Sequence, residues 1–359
     1  MNQEKVRLYL ESRFGEPVEV MDLVPLGESS NDSFKGYGYG KPLRVDYTRR
    51  GARHSAVIET VKPGRFGHET MADRAQVLLL GHLTFNDLPR HVQSLDVGGD
   101  RGDALISLGK VREFFGLREY VAGREYVEDL ERMRERPAPA DLDVARADAL
   151  CDYLVAIHRR RAGEAGLYVR CVRELLGHSE CIMGVVDAYP EADLVATPAL
   201  LEAIEHHAVR WRWRLKSRGH RLAQVHGDFH PWNILFRDGT DFSLLDRSRS
   251  AWGEPADDVA ALTMNYLFFG LDEERPFEGA LRGLFDRFWR RYLQSSGDSE
   301  LLDVVPPFMA FRALVMACPV WYPTLATPTR ARLIHFARAM MESSGLDLAR
   351  IDAALEGPR

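Results

Sequence analysis

One stretch constrains this chain more than any other: Val225-His226-Gly227-Asp228-Phe229-His230-Pro231-Trp232-Asn233-Ile234-Leu235-Phe236. Gly227 and Pro231 make its first half a loop, since neither suits a helix interior. The apolar run into Phe236, the turn at Asp238-Gly239-Thr240 and the run Ser243-Leu244-Leu245 then read as a hairpin ending in Asp246. The pattern is H-x-D-x-x-x-x-N followed by an acid at the end of the second strand. Phosphoryl transfer needs this set: one carboxylate to take the proton of an attacking hydroxyl, an amide oxygen and a second carboxylate to hold magnesium against nucleotide phosphates. Asp228 is therefore the expected base, and Asn233 and Asp246 the expected magnesium ligands. Magnesium takes hard oxygen donors and keeps waters and substrate phosphates, so two protein ligands suffice. His226 and His230 are four apart, but in a loop with no third nitrogen or sulfur ligand evident they do not make a zinc site. His226 is read as a brace for the loop.

The rest of the composition narrows the partners. With 359 residues there is room for two lobes, each with its own core. A formal net charge of −6 argues against broad nucleic-acid binding, which is driven by basic surface. The four cysteines, Cys151, Cys171, Cys181 and Cys318, form no C-x-x-C pair and are expected as buried reduced thiols. The polar start Met1-Asn2-Gln3-Glu4-Lys5 lacks the apolar core of a signal peptide, and no apolar run is long enough to span a bilayer. A cytoplasmic monomer or homodimer that contacts no membrane is expected. No G-x-x-x-x-G-K-[ST] occurs, so any nucleotide is not held by a Walker A loop.

Along the chain, residues 4–14 have a short amphipathic helical pattern. Val18–Val24, the Gly-rich region from Phe34 to Tyr47, and Ser55–Lys62 read as strands, with Leu26–Phe34 a loop of small polar residues. A helix is expected from Glu69 to about Leu80, then strands at Ala104–Leu108 and Glu113–Leu117. Beyond Glu119-Tyr120-Val121-Ala122-Gly123 the pattern turns helical, with Thr197-Pro198 and Thr327-Pro328 each read as an N-cap followed by a first-turn proline. Helical segments are expected near 256–269, 277–294 and 308–317. The charged run from Asp129 to Asp141 reads as a solvated helix end and connection. The fold class is α+β: a small antiparallel-sheet nucleotide-binding lobe with one main helix (1–118), a hinge (119–123), and a larger α-helical catalytic and substrate-binding lobe (124–359).

The segment His226–Asn233 resembles the signature of the aminoglycoside phosphotransferase family, which also contains choline, homoserine and other small-molecule kinases and has a protein-kinase-like fold. Gly253-Glu254-Pro255-Ala256-Asp257-Asp258-Val259-Ala260 resembles the family's G-D-P-A-x-D-L-A stretch, and Leu154-Val155-Ala156-Ile157-His158 its L-x-x-L-H helix end. The similarity runs from about Leu26 to Leu262. It implies that Asp258 ties the catalytic loop to the following helix. It also implies that Lys62, at the end of its strand, meets the α- and β-phosphates of ATP or GTP, paired with Glu69 or Asp73 on one face of the first helix; Glu69 is preferred for its reach. Gly27, Ser29 and Ser30 would cover the phosphates, and Glu119 and Val121 would offer backbone groups to adenine. Many relatives have a second acid two residues after the metal-binding one; here Ser248 stands there, between Arg247 and Arg249.

The expected activity is an ATP-dependent, or GTP-dependent, transfer of the γ-phosphoryl group to a hydroxyl of a small molecule such as an aminoglycoside, sugar or amino alcohol. A catalytically silent nucleotide-binding protein is the alternative. Asp257, Asp272, Glu273 and Glu274 are candidates to receive an amine on the acceptor, and Trp321 and Tyr322 to wall the pocket.

Overall fold

The computed structural model describes residues 1–26, 40, 42–64, 66–87, 89–247, 249, 251–271 and 276–356. The chain forms two compact units, Met1–Arg118 and Glu119–Arg359.

The first unit opens with helix α1 (Gln3–Phe14). Asn2 caps it by accepting from the Lys5 amide, and Gly15 ends it in the left-handed conformation. Strands β1 (Glu19–Pro25), β2 (Leu43–Arg49) and β3 (Ala52–Ile58) form an antiparallel sheet in that order. Val6 and Leu10 of α1 pack with Val18, Val45 and Tyr47 into the small core of this unit. Helix α2 (Met71–Thr84) begins later than its apolar pattern suggests, because Thr70 takes the N-cap in a reciprocal capping box with Asp73. Strands β4 (Gly98–Asp100) and β5 (Leu105–Ser107) pair as a separate hairpin. The strand expected at Glu113–Leu117 is absent: that run is irregular, with Phe115 and Leu117 more than nine-tenths exposed, at 92% and 93%. With no neighbouring strand to satisfy its backbone, its apolar composition alone does not make it a strand.

The second unit contains the large core. Strand β6 (Arg124–Glu125) leads into α3 (Tyr126–Met133), followed by α4 (Asp141–His158), α5 (Ala165–Gly177), α6 (Ile182–Val186) and α7 (Pro198–Leu215). Short strands β7 (Ala223–Gln224), β8 (Ile234–Phe236), β9 (Phe242–Leu244) and β10 (Trp252–Gly253) come next. The remaining helices are α8 (Pro255–Gly270), α9 (Gly279–Ser296), α10 (Leu301–Val304), α11 (Pro306–Ala317), α12 (Thr327–Glu342) and α13 (Ile351–Glu356). Thr327 is the first residue of α12 rather than its N-cap, a place taken by Ala326. The hairpin read after Asn233 is present: β8 pairs antiparallel with β9 and, on its other edge, with β6. β7, which feeds the central loop, pairs with β10, which feeds α8.

Two helices are covered on nearly every side. In α8 all residues but Asp257, Phe268 and Gly270 are buried, and in α11 all but Val315. A helix apolar all round belongs at the centre of a core, so any charge on it needs a partner. The run from Asp129 is less solvated than expected, for the same reason. Asp129 is only 5% exposed and pairs with Arg146 and Arg132, while Leu130 and Met133 of the same helix are buried.

The start of α8 is fixed by a buried ionic cluster. Glu254, its N-cap, accepts two hydrogen bonds from the Arg221 guanidinium, at 2.8 and 2.7 Å, and a third from the Tyr168 hydroxyl at 2.7 Å. Asp298 takes two more from Arg221, at 2.7 and 2.8 Å. Removing one member strands the others: Glu254→Ala is expected to cost about 3–5 kcal/mol in urea unfolding. Burial works to raise Asp298, but Arg221 and the Glu300 amide outweigh it and hold its carboxyl below the ordinary range. Its stabilising share is thus full above the unfolded pKa and fades as pH falls through the folded one. Asp298→Asn should lose about 2 kcal/mol at neutral pH, with the gap to wild type closing below about pH 4.

Candidate active site

The central loop is built on Asp258. Its carboxylate, fully buried on α8, accepts the His226 amide at 2.7 Å on Oδ2 and the Gly227 amide at 2.8 Å on Oδ1. Oδ2 also accepts from His158 Nε2 at 3.1 Å, and His158 Nδ1 takes the Tyr292 hydroxyl at 2.6 Å. Burial pushes Asp258 up, yet His158 and the two amides prevail and keep it low. Gly227 turns the chain at φ +90°, where a side chain would be strained. Beyond this turn the Asp228 amide donates to His226 Nδ1 at 3.3 Å, while His226 Nε2 donates to the Leu245 carbonyl at 2.9 Å. Both nitrogens of His226 are thereby spent inside the loop, and the imidazole braces it.

Asn233 closes the loop from the far end. Its amide nitrogen donates to the Asp228 carbonyl at 3.0 Å and lies 3.1 Å from His230 Nε2, which leaves Oδ1 as the end of the amide presented outward. The Asn233 carbonyl accepts the Leu245 amide at 2.8 Å. Leu245 is thus held on both sides, by Asn233 and by His226, and the next residue, Asp246, is thrown into the left-handed region at φ +40°. Asp246 is exposed and lines an open pocket of about 240 Å³ together with Tyr153, Ile157, His226 and Arg247. Asn233 Oδ1 and the Asp246 carboxylate are hard oxygen donors of the kind magnesium prefers. Among the described residues no three His, Cys, Asp or Glu gather into a metal cluster.

Around Asp228 stands a set of charges, of which sequence reasoning did not find Arg312. Arg312, on α11, donates from Nη1 to Asp228 Oδ1 at 2.8 Å and from Nη2 to Asp257 Oδ1 at 3.0 Å. His230 Nε2 lies 3.4 Å from Asp228 Oδ2, and Arg249 Nη2 3.9 Å from Oδ1. Burial alone would raise Asp228; His230, Arg312 and Arg249 overcome it and hold the carboxyl well below the usual range. For Asp257 burial prevails over the pull of Arg312 and Arg249, and its carboxyl is pushed up. The available signal for Arg312 was its isolation: one charge inside the otherwise apolar run Pro306–Ala317 must be paired.

Other expected site residues fall as follows. Lys62 is exposed and follows the isolated bridge between Gly40 and Val61; its strand ended at Ile58, so it does not terminate a strand. Glu69 precedes the Thr70 cap and is not on α2, whereas Asp73 is, with its carboxylate accepting the Thr70 amide. The two do not share a helix face. Glu119 and Val121 lie in an irregular run at the start of the second unit. Gly27, Ser29, Ser30, Ser248, Asp272, Glu273 and Glu274 lie outside the described residues. Arg247 is engaged by backbone, donating to the carbonyls of Val225 and Ala251. Tyr322 packs against Phe268, with ring centres 4.9 Å apart, and Trp321 is exposed. The four cysteines are free; Cys171 is half-buried and the other three are buried. No described helix is long and apolar enough to cross a membrane.

Residues 74–294 match the phosphotransferase enzyme family. The chain belongs to that family. It is an α+β small-molecule kinase, transferring a phosphoryl group to an alcohol acceptor. No protein of curated function matches it. Among solved structures it is similar to the amicoumacin kinase hAmiN in complex with AMP-PNP, Ca2+ and Ami, at 15% identity over 87% of this chain and 88% of that one, with a TM-score of 0.42. It is also similar to a choline/ethanolamine kinase family protein from Mesorhizobium loti, at 15% identity over 72% and 78% of the two chains, TM-score 0.38. A third similar structure is the ADP-bound aminoglycoside phosphotransferase APH(2'')-Ib, at 12% identity over 95% and 98%, TM-score 0.34.

The Asp258 clamp yields a direct test. Asn at this position offers one acceptor and one donor to two backbone donors, so an N–H is left facing an N–H. Asp258→Asn is expected to lower unfolding stability by about 2–4 kcal/mol and to speed amide exchange at His226 and Gly227, read by hydrogen–deuterium exchange.

Proposed function

We propose that this kinase transfers the γ-phosphoryl group of ATP or GTP to a small-molecule hydroxyl at Asp228. The observation that carries the reading is the loop itself: Asp228 is held ionised among His230, Arg312 and Arg249, with Asn233 bonded to its carbonyl and Asp246 anchored through Leu245. Arg312 occupies Oδ1, so Oδ2 is the oxygen that receives the hydroxyl proton. The hydroxyl oxygen bonds to the γ-phosphorus, the bond from that phosphorus to the β–γ bridging oxygen breaks, and the nucleoside diphosphate leaves. A carboxylate with a depressed pKa is a weak base. That suffices here, because a loose, metaphosphate-like transition state demands little proton removal until late. Orientation is then the larger contribution, and the Arg312 contact supplies it by fixing the carboxylate.

Asn233 and Asp246 would hold magnesium, which supplies charge neutralisation at the transferring phosphates. On the family resemblance, Lys62 would meet the α- and β-phosphates, with Gly27, Ser29 and Ser30 over them and Glu119 and Val121 against the base. Glu69, preferred for its reach, would be the partner of Lys62; Asp73 accepts the Thr70 amide in the cap of α2.

Asp228→Asn should cut phosphotransfer by about 10²–10⁴-fold while nucleotide affinity, measured by calorimetry, stays near wild type. Turnover equal to wild type in that variant sinks the assignment. Asp246→Asn should remove the dependence of nucleotide affinity on magnesium; an unchanged dependence would move the cation elsewhere.

A further inference from the structure

Resting on the reaction proposed above, the charges facing Asp228 also bear on what the acceptor is. Among the described residues the groups come from four places: Arg312 from α11, Asp257 from α8, His230 from the loop, and Arg249 from the segment after β9. Arg312 spans the two carboxylates, Asp228 and Asp257, at 2.8 and 3.0 Å, and with Arg249 the two acids face two guanidinium groups. No acid in this group is left to receive an ammonium. Asp257, expected from the sequence to greet an amine, is held by Arg312 instead.

Arg249 balances the second carboxylate in charge but makes no hydrogen bond to either acid among the described residues. Its side chain is only 21% exposed, yet the nearest carboxylate oxygen, Asp228 Oδ1, is 3.9 Å away. Its one hydrogen bond among the described residues goes to a poor acceptor, Cys181 Sγ, at 3.7 Å. The guanidinium lies 5.1 Å from the centre of the Phe311 ring, which holds the group without neutralising it. A guanidinium has five N–H donors in a planar fork suited to a carboxylate or phosphate. A partly buried fork that makes one weak hydrogen bond among the described residues, beside the base, is a receptor for an oxyanion.

We propose that the acceptor is a hydroxyl compound bearing a carboxylate or phosphate group, and that Arg249 is the specificity-determining residue that receives this anion. A cationic acceptor would meet Arg249 and Arg312 as like charges, and the acids that offset them, Asp228 and Asp257, are both already bonded to Arg312.

The test measures ADP release by the full chain with MgATP and three acceptor sets: glycerate, gluconate and glycerol phosphate; neutral glycerol and glucose; and choline, ethanolamine and kanamycin. The highest kcat/KM is expected in the anionic set. Arg249→Met should raise KM for the anionic acceptor about tenfold or more and leave KM for ATP within about twofold. Arg249→Lys, which keeps the charge and loses the fork, should recover part of the loss. The proposal is overturned if the anionic set gives no release above the nucleotide-only background, or if a neutral or cationic acceptor has the highest kcat/KM. It is equally overturned if Arg249→Met raises KM for ATP alone, since the guanidinium then serves the nucleotide's own phosphates. In all three cases the role of Asp228 is judged separately by Asp228→Asn: loss of turnover there, with a neutral or cationic substrate preferred, refutes the anion site and keeps the base.

Discussion

A single carboxylate accepting two adjacent backbone amides organises the second unit. Asp258 is on a helix with almost no solvent contact, where an unpaired charge would cost several kcal/mol. Its partners are the His226 and Gly227 amides, donors that a sharp turn leaves without strand partners. Each side thus satisfies the other, and the loop has one favourable position. The same carboxylate reaches His158 and through it Tyr292, so α4, α8 and α9 are tied to the loop by a continuous polar line through an apolar core.

Arg312 runs a second polar line through that core, and it has the opposite sense. Asp258 acts on backbone and sets where the loop lies; Arg312 acts on a side chain and sets how the Asp228 carboxylate is turned. Holding one carboxylate oxygen with a buried cation sacrifices basicity and gains orientation. That exchange suits phosphoryl transfer, in which proton removal is a minor part of the barrier.

The loop was legible in the sequence because its residues are local: Asp228, Asn233 and Asp246 declare themselves by spacing, and the hairpin between the last two by its turn residues. Asp258 and His158 became visible only through the family resemblance, since their contacts span 32 and 100 positions. Arg312 is 84 positions from Asp228, and only the oddity of a charge in an apolar helix marks it. In the first unit the misreadings have local causes. Thr70 outcompeted Glu69 for the start of α2 by making a reciprocal cap. The β4 strand, Gly98-Gly99-Asp100, has no side-chain pattern to announce it, and the apolar run at Glu113–Leu117 found no strand to pair with.

The hairpin between Asn233 and Asp246 has one further property. Its turn carbonyls, Gly239 and Arg237, accept from the buried Arg146 at 2.9 and 3.0 Å, and the same guanidinium stacks on Phe236 and pairs with Asp129. Surface turns ordinarily tolerate added residues because nothing inside the protein depends on their carbonyls. This one is riveted from beneath. The two strands therefore act as a ruler of fixed length, and the separation between the amide oxygen of Asn233 and the carboxylate of Asp246 is gauged by an arginine that touches neither.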